Sequence, residues 1–235
     1  MKRHFQNELE ALKVSLVKMG SVVEEALKSS VFAILNRDDA AVQRVLEAEE
    51  RINLLELEID HAILDLLALQ QPVASDLRFI LAVQKINNDL ERMGDHAVNI
   101  AESAVALKTL PDTGMLEEIP RMAELTLGIV KQGLDSMILK DPSLAAAVLR
   151  ADDGIDDMNR TVARKVIGLV KNDPTAIALG LELIRISRNL ERVADLTTNI
   201  AEDVLFYVQA RVVKHHAEEK DDTHREVYHE SGRSQ

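Results

Sequence analysis

One stretch of this chain is written twice. Residues 88–102 read Asn-Asp-Leu-Glu-Arg-Met-Gly-Asp-His-Ala-Val-Asn-Ile-Ala-Glu, and residues 188–202 read Arg-Asn-Leu-Glu-Arg-Val-Ala-Asp-Leu-Thr-Thr-Asn-Ile-Ala-Glu. Eight of the fifteen positions are identical, and the identical polar ones are Glu91/Glu191, Arg92/Arg192, Asp95/Asp195, Asn99/Asn199 and Glu102/Glu202. A helix that needed only a wet face could carry any mixture of charges. Keeping this set twice implies a surface with a chemical task. The duplication extends backwards: Met19 aligns with Met122, Val45 with Val148, Glu49 with Asp152 and Ile52 with Ile155, all at a single offset. The chain must therefore fold as two copies of one unit. Two copies are too few for a solenoid array, so the expected fold is all-α, two tandem similar three-helix bundles built from six long helices.

The apolar pattern supplies those helices. Leu9, Leu12, Leu16, Met19, Val23, Leu27, Val31 and Ile34 step by three and four, one face of a helix over about 5–35. A second helix is expected over about 40–69, stopped by Gln70-Gln71-Pro72, and a third from Ser75-Asp76 to about Leu107. Leu110-Pro111-Asp112-Thr113-Gly114 reads as a linker. The plan then repeats over about 115–139, 142–170 and 175–213, with Pro142 in a first helical turn and Asn172-Asp173-Pro174 standing where Gln70-Gln71-Pro72 stood. Residues 1–109 and 115–213 are thus expected as the two bundles, and 214–235 as a polar, flexible tail that holds four of the seven histidines.

Composition excludes several functions. Aromatic residues make up only 3% of the chain and Cys is absent, so disulfides, thiolate metal sites and cysteine nucleophiles are ruled out. A net charge of −12 disfavours a nucleic-acid partner. Charged residues break every apolar run before the ~20 residues of a membrane span. The start, Met1-Lys2-Arg3-His4-Phe5, lacks the apolar core of a signal peptide, so a cytoplasmic protein is expected.

At about 100° per residue, Val83, Ile86, Leu90, Met93, Ala97, Ile100 and Ala104 form the core stripe of the third helix. Glu91, Asp95, Asn99 and Glu102 gather on a different arc beside it, as do Glu191, Asp195, Asn199 and Glu202. Such a stripe repels itself unless something positive neutralises it. An antiparallel second helix about Pro72 sets Asp95 against Glu49 and Glu91 against Asn53. About Pro174, Asp195 faces Asp153 and Glu191 faces Asp156 or Asp157. The facing helix therefore brings more acid: Glu49-Glu50 in one half, Asp152-Asp153 and Asp156-Asp157 in the other. Oxygen ligands converging from two helices outline a hard-metal site. The candidate ligands are Glu91, Asp95, Asn99 and Glu49 in one half, and Glu191, Asp195, Asn199, Asp153 and Asp156 in the other. Carboxylate ligation leaves Mg, Mn, Fe and Zn open, and a solvated acidic face is the plain alternative.

Catalytic patterns are missing. A di-iron carboxylate bundle needs inward Glu-x-x-His pairs on two helices, and the chain has one, Glu58 to His61, whose counterparts are Thr161 and Arg164. His96 becomes Leu196 in the second copy. No Ser/His/Asp set, phosphate-binding Gly loop or dinucleotide fingerprint occurs, so the protein is not expected to be an enzyme. A metal-storage protein or carboxylate-bridged metal enzyme remains the alternative reading.

Two copies of Glu-Arg-x-x-Asp-x-x-x-Asn-Ile-Ala-Glu, each on the third helix of a three-helix unit, resemble the PhoU family. His4-Phe5 with Glu8-Leu9, and Gln71-Pro72 followed by Asp76-Leu77-Arg78, also look like that family. The resemblance covers residues 1–213. It implies paired three-helix bundles and a homodimer. It also implies a negative regulator of the phosphate-starvation response and modulator of phosphate uptake, acting as an adaptor between the ATPase subunit of the phosphate ABC transporter and a phosphate sensor histidine kinase. The membrane is then met only through these partners. Metal held by Glu91 with Asp95 and by Glu191 with Asp195 is implied as well. Gly94/Ala194 and His96/Leu196 break the symmetry, so the two sites are expected to differ.

Overall fold

The computed structural model describes residues 2–110 and 116–210, and within them every element is helical. Six helices follow in order: α1 Lys2–Asn36, α2 Asp39–Gln70, α3 Ala74–Lys108, α4 Glu118–Leu139, α5 Pro142–Asn172 and α6 Ile177–Gln209, with one 3-10 turn at Pro174–Ala176. The expected linker at 111–114 and the tail from 214 lie outside the described residues. Local chemistry fixes the helix ends. The Asp38 carboxylate accepts the Ala41 amide at 2.6 Å to start α2, and Asp141 accepts the Ser143 amide at 2.8 Å ahead of Pro142 to start α5. Gln71, at φ 46°, turns the chain left-handed and ends α2 before Pro72. Asp173 accepts the amide and the hydroxyl of Thr175, folding the second Pro turn into the 3-10 segment.

Within each repeat the three helices pack on one another, α1 with α2 and α3, and α4 with α5 and α6. The repeats meet broadly. α3 packs along α6 and α1 touches α4, so these four helices form an inner layer with α2 and α5 on the outside. A single continuous apolar core runs through both halves, including Met19, Ile52 and Met93 from the first and Met122, Ile155 and Val193 from the second. At one end of the seam the Phe79 and Tyr207 rings meet edge to face, 5.7 Å apart at 75°, while Tyr207 donates its hydroxyl proton to the Met137 carbonyl at 3.1 Å.

The seam between α3 and α6 is antiparallel, and polar contacts along its edges fix its register. Lys85 pairs with Asp203 at 2.7 Å. Near the other end Arg185 donates to Asn99 at 3.1 Å and also pairs with Glu102. Between them, His96 Nδ1 and Asn189 Oδ1 lie 2.8 Å apart. Since Lys85 and Arg185 are equivalent positions of the two repeats, the seam has an approximate two-fold axis.

Close helix approach requires Gly at one place in particular. A Cβ on Gly133 of α4 would stand 2.5 Å from Thr197 Cγ2 of α6, whereas one on Gly128, a turn earlier, would meet nothing. Gly128→Ala should therefore raise stability by about 0.5–1 kcal/mol through helix propensity. Gly133→Ala should lose roughly 1–3 kcal/mol to the clash despite the same propensity gain. Urea melts of the two variants, read as midpoint shifts of opposite sign, check this pair.

Candidate metal centre

α5 and α6 bring three carboxylates of the second repeat together. One oxygen each from Asp156, Glu191 and Asp195 lies within 4.8 Å of the others, and all three residues are half-buried. Among the described residues this is the only such trio of acids and histidines. Glu191 and Asp195 are one turn apart on α6, and Asp156 reaches them from the facing helix. Asp152, one turn before Asp156, completes the cluster: burial and the nearby Asp195 charge push its carboxyl up from 3.8 to about 6. Burial also raises Glu191 and Asp195 above the ordinary carboxylate range. Arg192 offsets part of this, donating to Asp195 at 2.9 Å and lying 3.7 Å from Glu191.

The first repeat disperses the same elements. Asp95 is exposed and Glu91 half-buried. Glu49, on α2, accepts a 2.6 Å hydrogen bond from the Asn53 amide, so the position equivalent to Asp156 holds an amide that ties up an acid. Glu56, two turns along α2 from Glu49, joins in: its carboxyl is raised by burial, by Asp60 and by Asp95. Glu91 is raised by burial and then by Asp95, Glu56 and Glu49. Glu91, Asp95, Glu49 and Glu56 therefore share one acidic patch without converging on a point.

Several expected ligands are placed otherwise. Asp153 is exposed, and Asp152 takes the place beside Asp195. The face of α5 turned to α6 thus presents Asp152 and Asp156, one turn apart, while Glu191 meets Asp156 as expected. Asn99 accepts from Arg185, and Asn199 donates to Asp89. Both asparagines therefore serve the seam. A helical wheel assigns one partner to each face, but α3 has three neighbours, and a position on the edge of the acidic arc is within reach of α6. Asp89, which no spacing argument singled out, is buried at that seam and pushed up to about 6 by burial and by Asp203. Glu58 and His61 are exposed on the outer side of α2, away from the core that an inward di-iron site would occupy.

The donor set suits a hard cation. An octahedral oxygen shell spans about 4–5 Å across, a shell that the Asp156, Glu191 and Asp195 oxygens, within 4.8 Å of one another, could share. A cation there would relieve the repulsion that adds to burial in raising these carboxyls. Such a cation would be held by Asp156, Glu191 and Asp195 with Asp152 in reach.

Two acid-rich helix pairs on the flanks of a duplicated six-helix core define a tandem-repeat helical scaffold. The PhoU domain model matches residues 16–104 and again 119–204. The chain is 34% identical to a phosphate-specific transport system accessory protein PhoU homolog of Pseudomonas aeruginosa over 214 residues, covering 91% of this chain and 88% of that protein. It is 35% identical to the homolog of the same name from Aquifex aeolicus, covering 91% and 97% of the two. The crystal structure of PhoU from Pseudomonas aeruginosa superposes with a TM-score of 0.85 at 34% identity, over 88% of this chain and all of that one. A phosphate transport system regulatory protein PhoU from Streptococcus pneumoniae gives 0.82 at 29% identity, over 90% of this chain and all of that one. The chain belongs to the PhoU family, in both repeats.

The raised carboxyls set a pH dependence. An acid whose folded value lies above its ordinary value favours the protonated folded state, so stability from Asp152 is present at low pH and lost as pH rises from about 4 through 6. Metal-free protein should melt at lower temperature at pH 7 than at pH 5. Asp152→Asn should recover roughly 2–4 °C at pH 7 and flatten the slope in thermal scans.

Proposed function

We propose that this protein is a non-enzymatic negative regulator of the phosphate-starvation response and a modulator of phosphate uptake. It acts in the cytoplasm as a homodimeric adaptor between the ATPase subunit of the phosphate ABC transporter and a phosphate sensor histidine kinase. The observation that carries this reading is the match of both repeats to PhoU domains, together with relatives named as accessory proteins of phosphate-specific transport. Among the described residues no helix is long and apolar enough to cross a membrane, which fits membrane contact made through partners.

In this reading the second cluster, through Asp156, Glu191 and Asp195, holds a divalent or trivalent cation of the Mg, Mn, Fe or Zn kind, and Glu91 and Asp95 with Glu49 hold one more weakly. The cation supplies positive charge that ties α5 to α6. Asp156, Glu191 and Asp195 orient it, and Arg192 balances what charge remains.

Deleting the gene should derepress phosphate-starvation promoters in high-phosphate medium, and a reporter that stays silent would refute the regulatory role. Glu191→Gln with Asp195→Asn should lower bound metal, measured by elemental analysis of the purified protein, more than Glu91→Gln with Asp95→Asn. The reverse order would refute the ranking of the sites. Chelation should lower the melting temperature of the wild type at pH 7 and move that of the Glu191/Asp195 variant less.

A further inference from the structure

Leucines line the outer face of α2 where solvent should favour polar residues. Leu54 and Leu64 are each 62% exposed, Leu57 is 54% and Leu46 is 38%. At about 100° per residue these four fall within one quarter of the helix circumference, opposite the face that buries Val45, Ile52, Ile59 and Leu66. The duplication provides an internal control. The α5 positions equivalent to Leu54 and Leu57 are the charged Asp157 and Arg160, while those of Leu46 and Leu64 are Leu149 and Ile167. Only the first repeat carries the apolar stripe unbroken through its centre, and an apolar stripe of this kind marks a contact surface.

We propose that α2 is the face through which two copies of this chain associate, their second helices packed antiparallel about a two-fold axis between Leu54 and Leu57. The charge pattern selects this occupant. An isologous contact requires each residue to meet a complementary one in the same stretch of the partner. A single antiparallel register sets Leu54 against Leu57 and Leu46 against Leu64. The same register sets Arg51 against Glu58, Arg44 against Asp65 and Glu50 against His61. In every pair the residue numbers add to nearly the same total, as antiparallel packing demands. The arginines and their acids lie on the same flank of α2, which is the flank that meets itself in an antiparallel helix pair.

These charged groups are also available. The side chains of Arg44, Glu50, Arg51, Glu58, His61 and Asp65 make no hydrogen bond or ion pair with the described residues of the chain. A strongly basic partner helix would satisfy the acids and leave both arginines facing like charge. Residues 214–235, polar and without apolar periodicity, do not match a leucine stripe. A second copy satisfies both signs and all four leucines.

The inference rests on the homodimeric part of the reading above and assigns its surface. Sedimentation equilibrium of the full chain over a concentration series tests it, with circular dichroism melts confirming that each variant is folded. Wild type should be a dimer, and Leu54→Glu with Leu57→Glu should weaken association at least about a hundredfold. Arg51→Glu alone or Glu58→Arg alone should each weaken it about tenfold, since each pair occurs twice. The two reversals in one chain should return the dissociation constant to within about threefold of wild type. A monomeric wild type would overturn both this inference and the homodimeric reading. A dimer untouched by the leucine changes would leave the homodimer standing and overturn the α2 face. Loss without rescue in the double reversal would overturn the antiparallel register. The promoter response to gene deletion is independent of all these outcomes.

Discussion

The structure depends on the antiparallel seam of α3 and α6. Each helix is the third of its own repeat, buried on one side against its own bundle, and the two close on each other to merge two small cores into one. A three-helix unit of about a hundred residues has limited apolar surface to bury by itself. Joined along the seam, the repeats share Met93, Val193 and their neighbours as a common interior. The polar contacts at the edges, Lys85 with Asp203 and Arg185 with Glu102 and Asn99, fix the slide of one helix along the other. Both cations are reached by solvent, so these pairs set the register of the seam more than they add to its stability.

That seam also sorts the repeated motif into two tasks. Glu91 and Asp95, like Glu191 and Asp195, face the outer helix of their own repeat, whereas Asn99, Asn199 and Glu102 reach across to the other repeat. Part of the repeated polar set thus gathers charge and part holds the two repeats together. The gathered charge is unfavourable by itself, which is why burial and neighbouring acids raise Asp152, Glu191, Glu91 and Glu56. Arg192 relieves the second cluster in part, while Arg92 lies beside Asp89 at 3.8 Å.

Much of this was legible in the sequence because helices announce themselves by period. The six helices, the two Pro turns and the core stripes through Met93 and Val193 follow from three- and four-residue steps. The facing of α2 and α3 was legible too, since a short turn at Pro72 forces antiparallel packing. What escaped lay in the third dimension. Counting residues about Pro174 is good only to about a turn, so Asp152 and not Asp153 proved to lie beside Asp195. The seam with α6 took Asn99 and Asn199 from the acidic arc, and Glu56 entered the first cluster from two turns beyond Glu49. Spacing along one helix carries no record of a third neighbour.

The outer helices have a further consequence. α2 and α5 touch only helices of their own repeat, while the inner four are braced from both sides. Local opening within one copy therefore has a hierarchy: a cover can lift from the keel while the seam holds. Amide exchange should be slowest along α3 and α6 and faster in the covers, in α5 above all where a second copy packs on α2. The acids that crowd the α2–α3 and α5–α6 gaps push on those same covers. Each gap is a spring-loaded latch whose tension is set by charge, and whatever neutralises that charge decides how often the cover lifts.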